Sequence, residues 1–80
     1  MDDDTLLARI NELADEEHQL FQKEASGDAS VAERTRLNEV EVTLDQCWDL
    51  LRQRRARRAA GLNPDDAQPR PAAVVEKYEN

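Results

Sequence analysis

Apolar residues in the first third of the chain return every three or four positions: Leu6, Ile10, Leu13 and Leu20. That spacing lines one face of an α-helix, whereas a strand would alternate every second residue. It predicts a helix over about 3–25, with Asp2, Asp3 and Asp4 at its positive end. The segment Ala25-Ser26-Gly27-Asp28-Ala29 interrupts the pattern with turn-forming residues, so a turn is expected at 26–29. Ser30-Val31-Ala32-Glu33 then has the spacing of a capping box, in which serine and glutamate each accept from a free backbone N–H. A second helix therefore starts near Val31. Its apolar positions Leu37, Val40, Leu44, Cys47 and Leu51 carry the same spacing onward to about residue 60, where Gly61 and Asn63-Pro64 stop it.

Two helices joined by so short a loop lie antiparallel, and the two apolar seams can then be set against each other. Leu6 meets Leu51, Ile10 meets Cys47, Leu13 meets Leu44, Glu17 meets Val40 and Leu20 meets Leu37, each step up one helix matching an equal step down the other. One layer further out, Asp3 falls opposite Arg54. Glu17 is the carboxylate in this seam; it can snorkel outward, the favoured reading, or fix the pairing at some cost in stability. The expected fold is all-α: an antiparallel, coiled-coil-like two-helix hairpin over 1–61, followed by an extended, proline-containing tail over 62–80. The tail is expected to dock weakly if at all, with a short helical turn possible over 71–78.

A second apolar stripe lies beside the seam, with Leu7, Ala14 and Phe21 on the first helix and Trp48 on the second. A hairpin alone cannot cover it. A second copy could, giving a homodimeric four-helix bundle; alternatively the tail folds back and covers Trp48 with Val74, Val75 or Tyr78.

Composition adds a charge asymmetry. The net charge is −7, yet residues 51–60 hold five arginines and no acid, while residues 1–50 hold fourteen acids against four bases. Arg52, Arg54, Arg55, Arg57 and Arg58 form a basic band suited to phosphates or carboxylates. The bland reading is that these cations stabilise the helix C-terminus and pair with Asp2, Asp3 and Asp4. The sharper one is an external partner, with an acidic protein favoured over nucleic acid, because flanking acids repel a phosphate backbone and no aromatics interleave. Neither a charged-then-apolar leader nor a long apolar run is visible, so no membrane association is expected. With a single cysteine, the setting is read as cytoplasmic.

Catalytic chemistry finds little purchase. His18 is the sole histidine and Cys47 lies about two helical turns away, so no set of three or four converging ligands marks a metal site. Cys47 at the seam is expected to be buried and protonated. No carboxylate pair is forced into an apolar pocket, and neither a phosphate-binding glycine loop nor a nucleophile elbow is present. Neither enzymatic activity nor a cofactor is expected. Leu6-Leu7-Ala8-Arg9-Ile10-Asn11-Glu12-Leu13, Glu16-Glu17-His18 and Leu44-Asp45-Gln46-Cys47-Trp48-Asp49-Leu50-Leu51-Arg52-Gln53-Arg54-Arg55-Ala56 resemble a family of short actinobacterial proteins catalogued as a domain of unknown function. The tail Arg70-Pro71-Ala72-Ala73-Val74-Val75-Glu76-Lys77-Tyr78-Glu79 fits it as well. The resemblance implies a bacterial cytosolic setting and supplies no catalytic residue. The remaining function classes are a self-associating interaction or scaffolding module and, as the alternative, a nucleic-acid-associated factor using the arginine band.

Overall fold

The computed structural model describes residues 2–71 and Ala73. Helix α1 spans Asp3–Ala25 and helix α2 spans Val31–Ala59, followed by a 3-10 turn at Pro64–Asp66. Among the described residues no strand occurs. The two helices pack against each other, as their seams predict.

Both helices are closed by side chains and backbone at each end. Asp2 caps α1, its Oδ1 accepting from the Thr5 N–H at 2.7 Å. Ser30 and Glu33 form the reciprocal capping box of α2, each bond 3.1 Å long. At the other ends the same device appears twice. Gly27 and Gly61 take positive φ, 79° and 76°, and the next residue's N–H reaches back five positions, Asp28 to the Lys23 carbonyl and Leu62 to the Arg57 carbonyl. These are Schellman motifs, in which the left-handed glycine lets orphan carbonyls of the last turn be satisfied. Each reverses the chain, the first into α2 and the second back along it.

The seam is dry. Leu6, Ile10, Leu13, Val40, Leu44 and Leu51 form one buried cluster, with Leu7, Leu20, Cys47 and Leu50 packed against its edges. Each large side chain buried there contributes about 1.5–3 kcal/mol. Asp3 and Arg54 meet at 2.6 Å, the layer the seam alignment assigns them. Near the loop, Lys23 and Glu33 meet at 2.6 Å. Glu17 stays half-exposed rather than entering the cluster.

The segment after α2 departs from expectation. It is extended but firmly held, running back along the outer side of α2 as a strap over residues 62–71. Gln53 Nε2 donates to the Gln68 carbonyl at 2.9 Å, and Gln46 Nε2 donates to the Arg70 carbonyl at 3.3 Å. Arg70 closes the strap with a two-pronged bond to Asp49, Nε to Oδ2 at 2.9 Å and Nη2 to Oδ1. Asp49, on the side of α2 away from α1, is thereby only 2% exposed. The physical reason is polar: Gln46, Asp49 and Gln53 make a stripe of donors and acceptors that a stretch with little apolar content can grip. The possible turn over 71–78, and with it Val74, Val75 and Tyr78, lies outside the described residues.

Candidate functional site

Two surfaces carry the residues singled out by sequence: the arginine band at the end of α2 and the apolar flank beside the seam. Helix α2 outruns α1 at its C-terminal end, because Asp3 is already level with Arg54. The chain uses the overhang to bind its own neighbours. Arg54 is 5% exposed and is shared three ways, Nε donating to Asp3 Oδ1 at 2.6 Å, Nη1 to Asp65 Oδ1 at 3.0 Å and to the Pro64 carbonyl at 3.3 Å. Arg58 Nη1 donates to Asp3 Oδ2 at 3.0 Å. Arg57 Nε donates to the Asn63 carbonyl at 2.7 Å and faces Asp66 at 3.5 Å.

Three of the five arginines are thus engaged in tying together the start of α1, the end of α2 and the strap. Arg54 in particular points inward, so it offers nothing to an outside partner. The hydrogen bonds from Arg58 and Arg54 hold the Asp3 carboxyl at about 2, well below its usual 3.8. Arg52 and Arg55 remain exposed, and neither makes an ion pair among the described residues.

The flank lies on the far side of the hairpin from the cleft under the strap. Thr43, Gln46, Cys47 and Leu50 of α2 join Leu6 and Arg9 of α1 and Pro69 of the strap around a small apolar cleft of about 200 Å³. A helix that turns those residues to one side presents Glu41, Asp45, Trp48, Arg52 and Arg55 on the other, at alternating spacings of three and four. On α1 the same outward side carries Leu7, Ala14 and Phe21. Leu7 is half-buried against the core and Ala14 is exposed. Trp48 is 42% exposed and Phe21 54% exposed. The described part of the strap does not reach this face.

Charge on the flank is divided along its length. Toward the loop, burial pushes the Glu41 carboxyl above its usual range, and the like charges of Glu17, Glu24 and Asp45 push it the same way. Toward the termini stand Arg52 and Arg55. Trp48 sits between the two.

The remaining candidates for chemistry are dispersed. His18 is exposed, with its Nε2 3.2 Å from Gln22 Nε2. Cys47 is half-buried, and burial raises its thiol pKa while Arg9 pulls it slightly down. Among the described residues no three histidine, cysteine or acidic side chains converge to hold a metal ion, and no helix is long and apolar enough to cross a membrane. Asp49 and Arg70 were not singled out by sequence, although the Gln46–Asp49–Gln53 stripe is visible there as polar residues at helical spacing.

A family model described as a protein of unknown function (DUF2630) matches residues 2–80. The chain belongs to this family. Relatives in Mycobacterium bovis and Mycobacterium tuberculosis, each an uncharacterized protein, are 47% identical over 77 residues, covering 95% of this chain and 88% of theirs. The actinobacterial resemblance read from the Leu44–Ala56 string is therefore that of this family. No solved structure matches.

Proposed function

We propose that this chain is a non-enzymatic protein-interaction module that self-associates through the flank formed by Leu7, Ala14, Phe21 and Trp48. The observation that carries the reading is the exposure of two aromatic side chains, Phe21 at 54% and Trp48 at 42%, on the side of a thin hairpin away from its strap. Aromatic residues are enriched at the buried centres of protein interfaces, where they bring much contact area at little entropic cost. A single seam between two helices also buries little for a chain of this length, so covering a second face adds stability that the fold needs.

The site chemistry supports an interaction role over catalysis. The apolar cleft under the strap has no converging set of titratable groups of the kind that general acid–base or metal chemistry requires. The arginine band supports a nucleic-acid role less well than its composition suggests, since Arg54, Arg57 and Arg58 are occupied by Asp3, Asp65 and Asp66. Phosphate affinity rises with each free cation, and two exposed arginines within an acidic surface make a poor track.

Sedimentation velocity of the full chain from about 1 to 100 µM tests the reading, since assembly follows mass action. The expected result is a concentration-dependent species of twice the 9.1 kDa chain mass, lost in Phe21→Ala/Trp48→Ala while helical circular dichroism is kept. A 9.1 kDa species at every concentration overturns it.

A further inference from the structure

The stripe Glu41, Asp45, Trp48, Arg52, Arg55 reads the same in both directions with its charge inverted. Trp48 lies at its centre, with Asp45 three residues before it and Arg52 four after, then Glu41 seven before and Arg55 seven after. At 1.5 Å per residue the outer pair lies about 10 Å on either side of the tryptophan. All five positions lie on the side of α2 turned away from the cleft, with Asp45 and Arg52 bordering the Asp49 that the strap's Arg70 holds, and Trp48, Arg52 and Arg55 are exposed there.

We propose that the partner on this face is a second copy of the chain, docked antiparallel across a twofold axis at Trp48, with Glu41 and Asp45 of each copy set against Arg55 and Arg52 of the other. This rests on the self-association proposed above and specifies its geometry. A twofold contact is self-complementary, so each charge must find its opposite near the mirrored distance from the axis, which this stripe supplies for Glu41 and Arg55 and, to within one residue, for Asp45 and Arg52. Parallel docking stacks acid on acid and arginine on arginine. An antiparallel dimer centred instead on Ala14, the middle of the α1 stripe, pairs Leu7 with Phe21 but brings Glu41 and Asp45 of the two copies face to face. Like charges held together at an interface disfavour that arrangement. The acid end is already crowded, since Glu17, Glu24 and Asp45 add to the burial that chiefly raises the Glu41 carboxyl, and a facing arginine offsets their repulsion. With the axis at Trp48 the two hairpins are offset, so Leu7 is covered with Trp48 at the centre while Phe21 lies at the rim of the contact, where truncation costs little.

Two charge variants test this without touching the core: Arg52→Glu/Arg55→Glu, whose stripe is wholly acidic, and Glu41→Arg/Asp45→Arg, whose stripe is wholly basic. Sedimentation equilibrium should find homodimerisation of each weakened by about tenfold or more at low salt. An equimolar mixture of the two should restore a dimer as strong as wild type. Trp48→Ala should disperse the wild-type dimer, and Phe21→Ala should change its Kd by less than about twofold. Circular dichroism of each variant confirms that the hairpin is folded. A wild-type chain that stays at 9.1 kDa removes self-association and this geometry together. A wild-type dimer that tolerates both charge variants, or that Phe21→Ala disperses and Trp48→Ala does not, overturns the geometry alone.

Discussion

The two ends of the hairpin use the same residue types and reach different degrees of enclosure. At the end where the termini lie, three segments meet: the start of α1, the end of α2 and the strap. Leu6 and Leu51 are each 1% exposed there, and Arg54 5%. At the loop end only two segments meet. Leu20 is half-exposed, Phe21 is 54% and Val31 71% exposed, and the ion pairs Lys23–Glu33 and Arg36–Glu16 join side chains that are between 29% and 56% exposed. The contacts at the two ends are equally short, 2.6 Å for Arg54–Asp3 and for Arg36–Glu16 alike. What differs is the third segment, which excludes water from one pair and leaves the other in solvent, where Coulomb attraction is screened.

The comparison is broken most strongly through the core. Leu51→Ala should cost about 3 kcal/mol in urea unfolding, because a fully enclosed leucine leaves a cavity that the surroundings cannot fill. Leu20→Ala, at the open end of the seam, should cost about 1 kcal/mol. Equal costs would mean that the loop end is as tightly packed in solution as the terminal end.

Next in size is Arg54. It is the enclosed member of an ion cluster that ties α1, α2 and the strap together. Its loss leaves a gap and frees Asp65 while Asp3 keeps only Arg58, so Arg54→Ala should lower Tm by on the order of 10 °C, while Arg36→Ala should lower it by about 2 °C. The same cluster sets an acid limit. Asp3 titrates at about 2 in the folded state against a usual 3.8, a depressed carboxyl, so its contribution is complete above about pH 4 and fades as pH falls toward 2. Asp49, held down chiefly by its bonds to Arg70, adds in the same direction. Thermal melts between pH 2 and 7 should therefore fall steeply below about pH 4 in the wild type and less steeply in Asp3→Asn.

How much of this was written in the sequence follows from which interactions are periodic. The two helices, the turn at Gly27, the capping box and the Asp3–Arg54 layer all rest on repeats of three and four or on short local motifs, and these are legible. The strap is not. Its hold depends on Gln46, Asp49 and Gln53 gripping carbonyls and a guanidinium some 15 to 24 residues away, and polar residues on a helix exterior look the same whether solvated or gripped. The fate of the arginine band shows the same limit. Five arginines within seven residues suggest an outward face, and three of them are consumed only by the folded arrangement: Arg54 and Arg57 by the return of residues 63–66, and Arg54 and Arg58 by Asp3 at the start of α1.

The strap offers a smaller effect. Arg70→Ala removes the two-pronged bond to Asp49 but leaves the glutamine contacts, so global stability should fall by only about 1 kcal/mol. The local change should be larger than the global one. Amide exchange in residues 64–71 should quicken by about tenfold while the amides of α1 keep their wild-type protection. Uniform quickening along the chain would show that the strap is part of the cooperative core.

The smallest effect is expected at the loop, and there it can be divided between two roles of one residue. Glu33 accepts from Lys23 Nζ at 2.6 Å through Oε2 and from the Ser30 backbone N–H at 3.1 Å through Oε1. The first bond joins side chains 56% and 29% exposed, so water and salt compete for it. The second satisfies a backbone donor at the start of α2 that otherwise has only solvent. Lys23→Ala removes the first alone and should leave Tm within about 2 °C of wild type. Glu33→Gln keeps an acceptor for Ser30 while losing the charge, and should behave like Lys23→Ala. Glu33→Ala loses both and should fall by about 3 to 5 °C, the cost of half a capping box in a short chain. If Lys23→Ala fell as far as Glu33→Ala, the exposed pair would be as strong as the enclosed one at Arg54, and water exclusion by the strap would no longer account for the contrast between the two ends.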